Sequence, residues 1–134
     1  MIVAERIFFE TKGYRDVFNI TDQVEDLVKK HNLELGHVLL FAVGSTTGLT
    51  TLEYEPGLIA DIQDFLEDLL PYRDAYKHHA TWGDDNGSSH LQSALLGTDL
   101  LVPVEEGHLV LGTWQQIVFL DLDTRSRRRE VVVH

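Results

Sequence analysis

The stretch Leu100-Leu101-Val102-Pro103-Val104-Glu105-Glu106-Gly107-His108-Leu109-Val110-Leu111-Gly112-Thr113-Trp114-Gln115-Gln116-Ile117-Val118-Phe119-Leu120-Asp121-Leu122 decides the fold class. Its apolar runs are rich in Val, Leu and Ile and are cut by turn residues at intervals too short for helices. Leu100–Val104, Leu109–Leu111 and Gln115–Leu122 read as strands, and Arg129–Val133 as a further one. Glu105-Glu106-Gly107-His108 supplies the hairpin turn between the first two.

Working outward, Ile2–Phe9 reads as a strand, Lys12-Gly13-Tyr14 as a turn and Tyr14–Ile20 as a second strand. Thr21 is placed to cap a helix, with Asp22 at its positive end and Val24, Leu27, Val28 and His31 on one face. Gly36 is a stop signal. His37–Val43 is almost wholly apolar, which predicts a strand covered on both faces. Gly44-Ser45-Thr46-Thr47-Gly48 breaks it, and Leu49–Glu55 resumes as strand. Pro56-Gly57 opens a helix in which Leu58, Ile62, Phe65, Leu66 and Leu69 repeat at helical spacing before Pro71 ends it. Its acids, Asp61, Asp64, Glu67 and Asp68, read as a solvated face rather than a metal site. Ser89-His90-Leu91-Gln92 has a capping-box pattern at the start of a short helix closed by Gly97. With no internal repeat or linker, residues 1–134 make one α+β domain with a β-rich C-terminal half.

Composition narrows the chemistry. There is no cysteine, so disulfides, thiolate catalysis and thiolate metal sites are excluded, and any metal must use His, Asp or Glu. The formal net charge of −11 repels phosphate backbones and argues against a nucleic-acid role. No apolar run approaches the roughly 20 residues of a membrane span. Met1–Glu10 carries Glu5, Arg6 and Glu10 and lacks a signal-peptide pattern, so a cytoplasmic location is expected. The basic run Arg125, Arg127, Arg128 and Arg129 is either an anion contact or a turn and edge strand whose charges discourage aggregation.

The densest chemistry lies between Trp82 and Gln115. Trp82-Gly83-Asp84-Asp85-Asn86-Gly87-Ser88-Ser89-His90 gathers acids, an amide and an imidazole in one loop. His78 and His79 flank it on the other side. A loop that returns on itself can bring His78 and His90 together with Asp84 or Asp85, as an open metal site or as acid/base groups. The same loop can bind phosphate at the N-terminus of the following helix. The alternative is a Gly/Asn loop pinned by its own hydrogen bonds. In Gly112-Thr113-Trp114-Gln115, Thr113 offers a hydroxyl, Gln115 an amide and Trp114 a stacking surface, although a Trp at a strand start is more often core. The Gly44–Gly48 loop lacks the lysine of a P-loop, and Ser45 has no evident partner base.

Ser93-Ala94-Leu95-Leu96-Gly97, Val102-Pro103-Val104, Gly107 and Leu111-Gly112-Thr113-Trp114-Gln115-Gln116-Ile117 together resemble the signature of the YjbQ family, also described as secondary thiamine-phosphate synthase. The likeness covers nearly the whole chain. It implies an α+β fold built on a packed antiparallel β-sandwich, and a homotrimer with sites near subunit boundaries. It also implies a weak synthase activity that joins hydroxymethylpyrimidine diphosphate to a thiazole phosphate with loss of pyrophosphate. On this resemblance His78 or His90 is the acid/base, Asp85 orients one of them or holds a metal, and Gln115 positions substrate. Ser45, Thr46, Thr47, Asn86, Ser89, Thr113 and Trp114 are expected substrate contacts. A divalent metal, Mg²⁺ or Zn²⁺, would fall to His78 and His90. The expected partner is a small phosphorylated or anionic molecule, with neither nucleic acid nor membrane. Gly44-Ser45 stands where many members carry Pro-His, and Ser88 where many carry His, which removes two histidines from the implied site. The other readings are an anion- or metabolite-binding trimer without turnover and a metal-dependent phosphate-ester hydrolase.

Overall fold

The computed structural model describes all of residues 1–134. Two antiparallel sheets form a sandwich with helices against one outer face. The strands are β1 (Glu5–Glu10), β2 (Asp16–Asn19), β3 (Leu35–Ala42), β4 (Thr47–Glu53), β5 (Asp99–Glu105), β6 (His108–Leu109), β7 (Gln115–Asp121) and β8 (Arg128–Val133). The helices are α1 (Thr21–Lys30), α2 (Pro56–Leu69), α3 (Lys77–Trp82) and α4 (Gly87–Leu96). The large sheet runs β1-β8-β3-β5-β6 and the small sheet β2-β7-β4. No helix is long and apolar enough to cross a membrane.

The core lies between the sheets. Val38, Leu40 and Ala42 of β3, Val102 and Val104 of β5, and Val131 of β8 meet Leu49, Ile117 and Phe119 of the small sheet, with Val24 and Val28 of α1 closing one side. Phe119 is fully buried, and Phe9 meets its ring edge-on at 4.7 Å between centroids. Behind the small sheet, Val118, Leu120 and Leu122 pack with Leu66 of α2, and Leu96 of α4 joins them.

The strand covered on both faces is therefore β7, where Ile117 through Asp121 are all buried. The expectation for His37–Val43 is corrected. In β3 burial alternates, with Val38, Leu40 and Ala42 inward and Leu39 and Phe41 on the open face. An apolar run has the same composition whether its second face meets a helix or is left uncovered by its own chain. β8 pairs with both β1 and β3, so the arginine-rich segment is not an edge strand.

Two expected caps are not formed. α1 begins at Thr21 itself, whose hydroxyl donates to the Asn19 side chain and accepts from the Ile117 N–H. α4 starts at Gly87, two residues before Ser89. Gln92 is then fully buried, bonded to Leu70 and Ser88 rather than reaching back to a cap. The acidic α2 does carry a side-chain cap, from the Glu55 carboxylate to the Leu58 N–H.

Candidate functional site

The site forms where α3, the α3–α4 loop and the first turn of α4 meet the C-terminal end of β7. α3 is six residues long and ends at Gly83, which adopts a left-handed φ of 67°. That reversal sends the chain back through Asp84 and Asp85 into α4. Gly87 is enclosed at the crossing, where a Cβ would come within 2.6 Å of Tyr76 Cβ. Its N–H donates to His79 Nε2 at 2.9 Å, so an imidazole caps α4.

The return brings the two expected histidines together. The rings of His78 and His90 lie 4.5 Å apart between centroids, both partly buried. His78 Nε2 faces Asn86 Oδ1 at 3.1 Å and Asp84 Oδ2 at 3.3 Å. Asp84 thus stands beside the histidine, the place expected for Asp85. The Asp85 carboxylate instead accepts from the Thr124 hydroxyl at 2.9 Å and ties the loop down. Asn86 donates its amide to Asp123 Oδ1 at 3.4 Å.

Behind Asn86 lies a buried ionic network that the sequence analysis did not assign. Arg129 donates Nε to Asp121 Oδ2 and Nη2 to Asp121 Oδ1, both at 2.8 Å, a bidentate pair out of solvent. Arg127 donates to Asp123 Oδ2 at 2.8 Å. The Thr46 hydroxyl donates to Asp123 Oδ2 and accepts from Arg129, while the Thr11 hydroxyl bonds Asp121. Gly44 leaves the room Arg129 needs, since a Cβ there would lie 3.0 Å from Nη1. The signal was present in Asp121-Leu122-Asp123 followed by Arg127 and Arg129, acids and bases at alternate positions on adjoining segments.

Two titrations bear on the chemistry. Burial pushes the His90 imidazole below its ordinary value, the neighbouring His78 charge adds to this, and Asp123 and Asp84 oppose it. Burial would raise Asp123, but the Thr124 N–H, Arg127, Thr46 and Asn86 together hold it below its ordinary value.

The remaining expected residues are dispersed. Thr46 belongs to the network behind the site, and the Thr47 hydroxyl donates to the Gly44 carbonyl. Ser45 is exposed on the same loop. Ser88 is buried and donates to the Leu70 carbonyl, away from the histidines. Ser89 is also fully buried, and its hydroxyl has no partner within the chain. Thr113, Trp114 and Gln115 lie at the other end of β7, about 20 Å away at roughly 3.3 Å per strand residue. Trp114 is 72% exposed, so it is not core. Gln115 closes a turn, its Oε1 accepting from the Gly112 N–H at 3.0 Å and its amide donating to Thr51 at 2.9 Å. These bonds are a structural reason for Gln to stand at position 115. Nowhere do three His, Asp or Glu side chains gather closely enough to hold a metal ion. The His78–His90 pair therefore lacks, within one chain, the third protein ligand that a resident metal centre uses.

The sandwich, the crossed helices and the paired histidines define an α+β domain with its imidazole pair at one end of the small sheet. Residues 5–134 match the family model described as UPF0047 protein YjbQ-like, and the chain belongs to that family. A UPF0047 protein of Archaeoglobus fulgidus is 44% identical over 87% of this chain and 89% of its own length. One from Methanothermobacter thermautotrophicus is 37% identical over 98% and 92%. A crystal structure from Sulfolobus solfataricus, described as a YbjQ-like protein of unknown function, superposes with a TM-score of 0.92 at 34% identity, covering 98% of this chain and 94% of that one.

Proposed function

We propose that this protein binds the phosphate or diphosphate of a small molecule against His78 and His90 and moves protons there, in a weak reaction of the thiamine-phosphate synthase type. The observation that carries the reading is the pair of imidazoles 4.5 Å apart at the start of α4. The Ser88 and Ser89 N–H groups have no acceptor in the chain. Both residues are enclosed, so these groups act on an anion through the field of the helix end, and direct contact falls to the imidazoles.

In such a reaction a thiazole nitrogen forms a bond to the pyrimidine methylene carbon. The bond from that carbon to the diphosphate oxygen breaks, and the electron pair leaves with pyrophosphate. His78 and His90 are placed to donate a proton to the departing oxygen or to hold its charge. Arg127 and Arg129 are committed to Asp123 and Asp121 and give the anion little help, which fits a slow activity or binding without turnover. A divalent cation, Mg²⁺ or Zn²⁺, arriving with the diphosphate would offset the charges of Asp84 and Asp85.

A homotrimer is part of the same proposal. The open face of the large sheet exposes Phe8, Leu39, Phe41 and Leu101, an apolar patch of the kind that marks an association surface. Purified protein, freed of contaminating synthase, is expected to form thiamine phosphate from the two phosphorylated substrates, and His90→Ala to abolish it. Full activity in that variant rejects the assignment. Tight binding with no product over long incubation selects the binding reading.

A further inference from the structure

His78 sits between two acceptors, and what fixes those acceptors determines which of its nitrogens is free. Asp123 is a carboxylate held ionised by Arg127 and by the Thr124 N–H, so it only accepts hydrogen bonds. The Asn86 group facing it at 3.4 Å must therefore be the amide NH₂. That orientation turns Asn86 Oδ1, also only an acceptor, toward His78 Nε2 at 3.1 Å. Asp84 Oδ2, at 3.3 Å from the same nitrogen, is a second acceptor. A ring nitrogen facing two acceptors carries the hydrogen.

We propose that Asn86, expected above as a substrate contact, is a positioning residue: anchored by Asp123, it holds His78 as the Nε2–H tautomer and leaves Nδ1 as the nitrogen that exchanges a proton. The tautomer follows from the contacts alone, whereas its use in catalysis rests on the proton-transfer reading above. The chain Asp123–Asn86–His78 orients an imidazole as a carboxylate does directly in other enzymes, with an amide inserted. The inserted amide transmits orientation without placing a full charge on the ring. The charged or titratable groups around the pair are Asp84 in the loop, His79 on α3, His90 on α4 and Asp123 beyond β7.

The test is proton–nitrogen correlation spectroscopy of the full-length protein labelled with ¹⁵N-histidine, together with Asn86→Ala and Asp84→Ala. Neutral His78 should carry its hydrogen on Nε2 in the native protein and show mixed tautomers in Asn86→Ala. A native ring protonated on Nδ1 overturns the proposal, as does a ring left unchanged by Asn86→Ala. The native spectrum judges the tautomer even if that variant does not fold. In the synthase assay, Asn86→Ala should lower kcat about 10- to 100-fold, less than the roughly 100- to 10,000-fold expected for loss of the acid/base itself. KM should change little, and the pH profile should shift. Unchanged kcat and pH profile overturn the catalytic use. A native protein that makes no product defeats the reaction reading while the spectra still decide the tautomer.

Discussion

The rings of His78 and His90 stand 4.5 Å apart although the residues belong to different helices, because Gly83 turns the chain back after the six residues of α3. Two imidazoles this close resist carrying two positive charges. Burial already disfavours the charged form of His90, and the His78 charge disfavours it further. A proton titration followed by NMR should give His90 a midpoint below its ordinary 6.5. His78→Ala should raise that midpoint by removing the like charge. A midpoint at or above 6.5 in the native protein contradicts the geometry of the pair. Because folding favours the neutral ring, the stability it contributes is complete above 6.5 and is lost as pH falls through the lowered folded value.

Asp123 shows the opposite chemistry with the same sense of pH dependence. Its folded value lies below the ordinary 3.8, so the stability it contributes is complete above 3.8 and is lost as pH falls through the folded value. Asp123→Asn should lower the urea midpoint at neutral pH, and the deficit should shrink as pH is lowered past 3.8. A deficit independent of pH would mean that packing, not charge, is what the substitution disturbs.

Arg129 and Asp121 form a bidentate pair with both side chains out of water. Removing one partner strands a buried charge, which costs about 3–5 kcal/mol. Arg129→Met should show a loss of that size in urea unfolding, whereas Arg6→Met, which breaks the exposed pair with Glu130, should change stability by under about 1 kcal/mol. Equal effects would show that the Arg129 network is not sealed from solvent.

The core makes a similar demand. Phe119 sits at the centre of the sandwich with Phe9 against its edge. Phe119→Ala should cost about 3–5 kcal/mol through lost burial and the cavity left behind. A loss below about 1 kcal/mol in chemical denaturation would contradict the two-sheet packing.

The open face of the large sheet tests the trimer. Leu101 is 62% exposed and has no packing role in the single chain. Leu101→Glu should leave the circular dichroism spectrum unchanged and convert a trimer into a monomer by sedimentation or light scattering. A native protein that sediments as a monomer, or a variant that still assembles through this face, removes the proposal.

Much of the fold was legible. The strands of the C-terminal half and the helices α1 and α2 follow from apolar spacing and from Gly and Pro punctuation. β3 was misjudged because Leu39 and Phe41 are apolar yet lie on a face the chain itself does not cover. α3 escaped notice because Lys77–Trp82 is too short to show a periodic face. The meeting of His78 and His90 could be anticipated from a returning loop, but which acid joins them could not. Asp84 and Asp85 are adjacent, and only the turn decides that Asp84 faces the ring while Asp85 faces Thr124. The distance of Gln115 from the histidines was within reach of the sequence, since a seven-residue strand separates its ends by about 20 Å.

The anion site at the start of α4 is the feature on which the proposed function depends. Titrating the labelled protein with inorganic pyrophosphate, in the presence and absence of Mg²⁺, and following the His78 and His90 ring signals with the Ser88 and Ser89 amides, tests this most directly. Saturable shifts concentrated on these four residues and weakened in His90→Ala are expected. Shifts confined to the Gly44–Gly48 loop or to Gly112–Gln115, or none on the four, would contradict the proposed site.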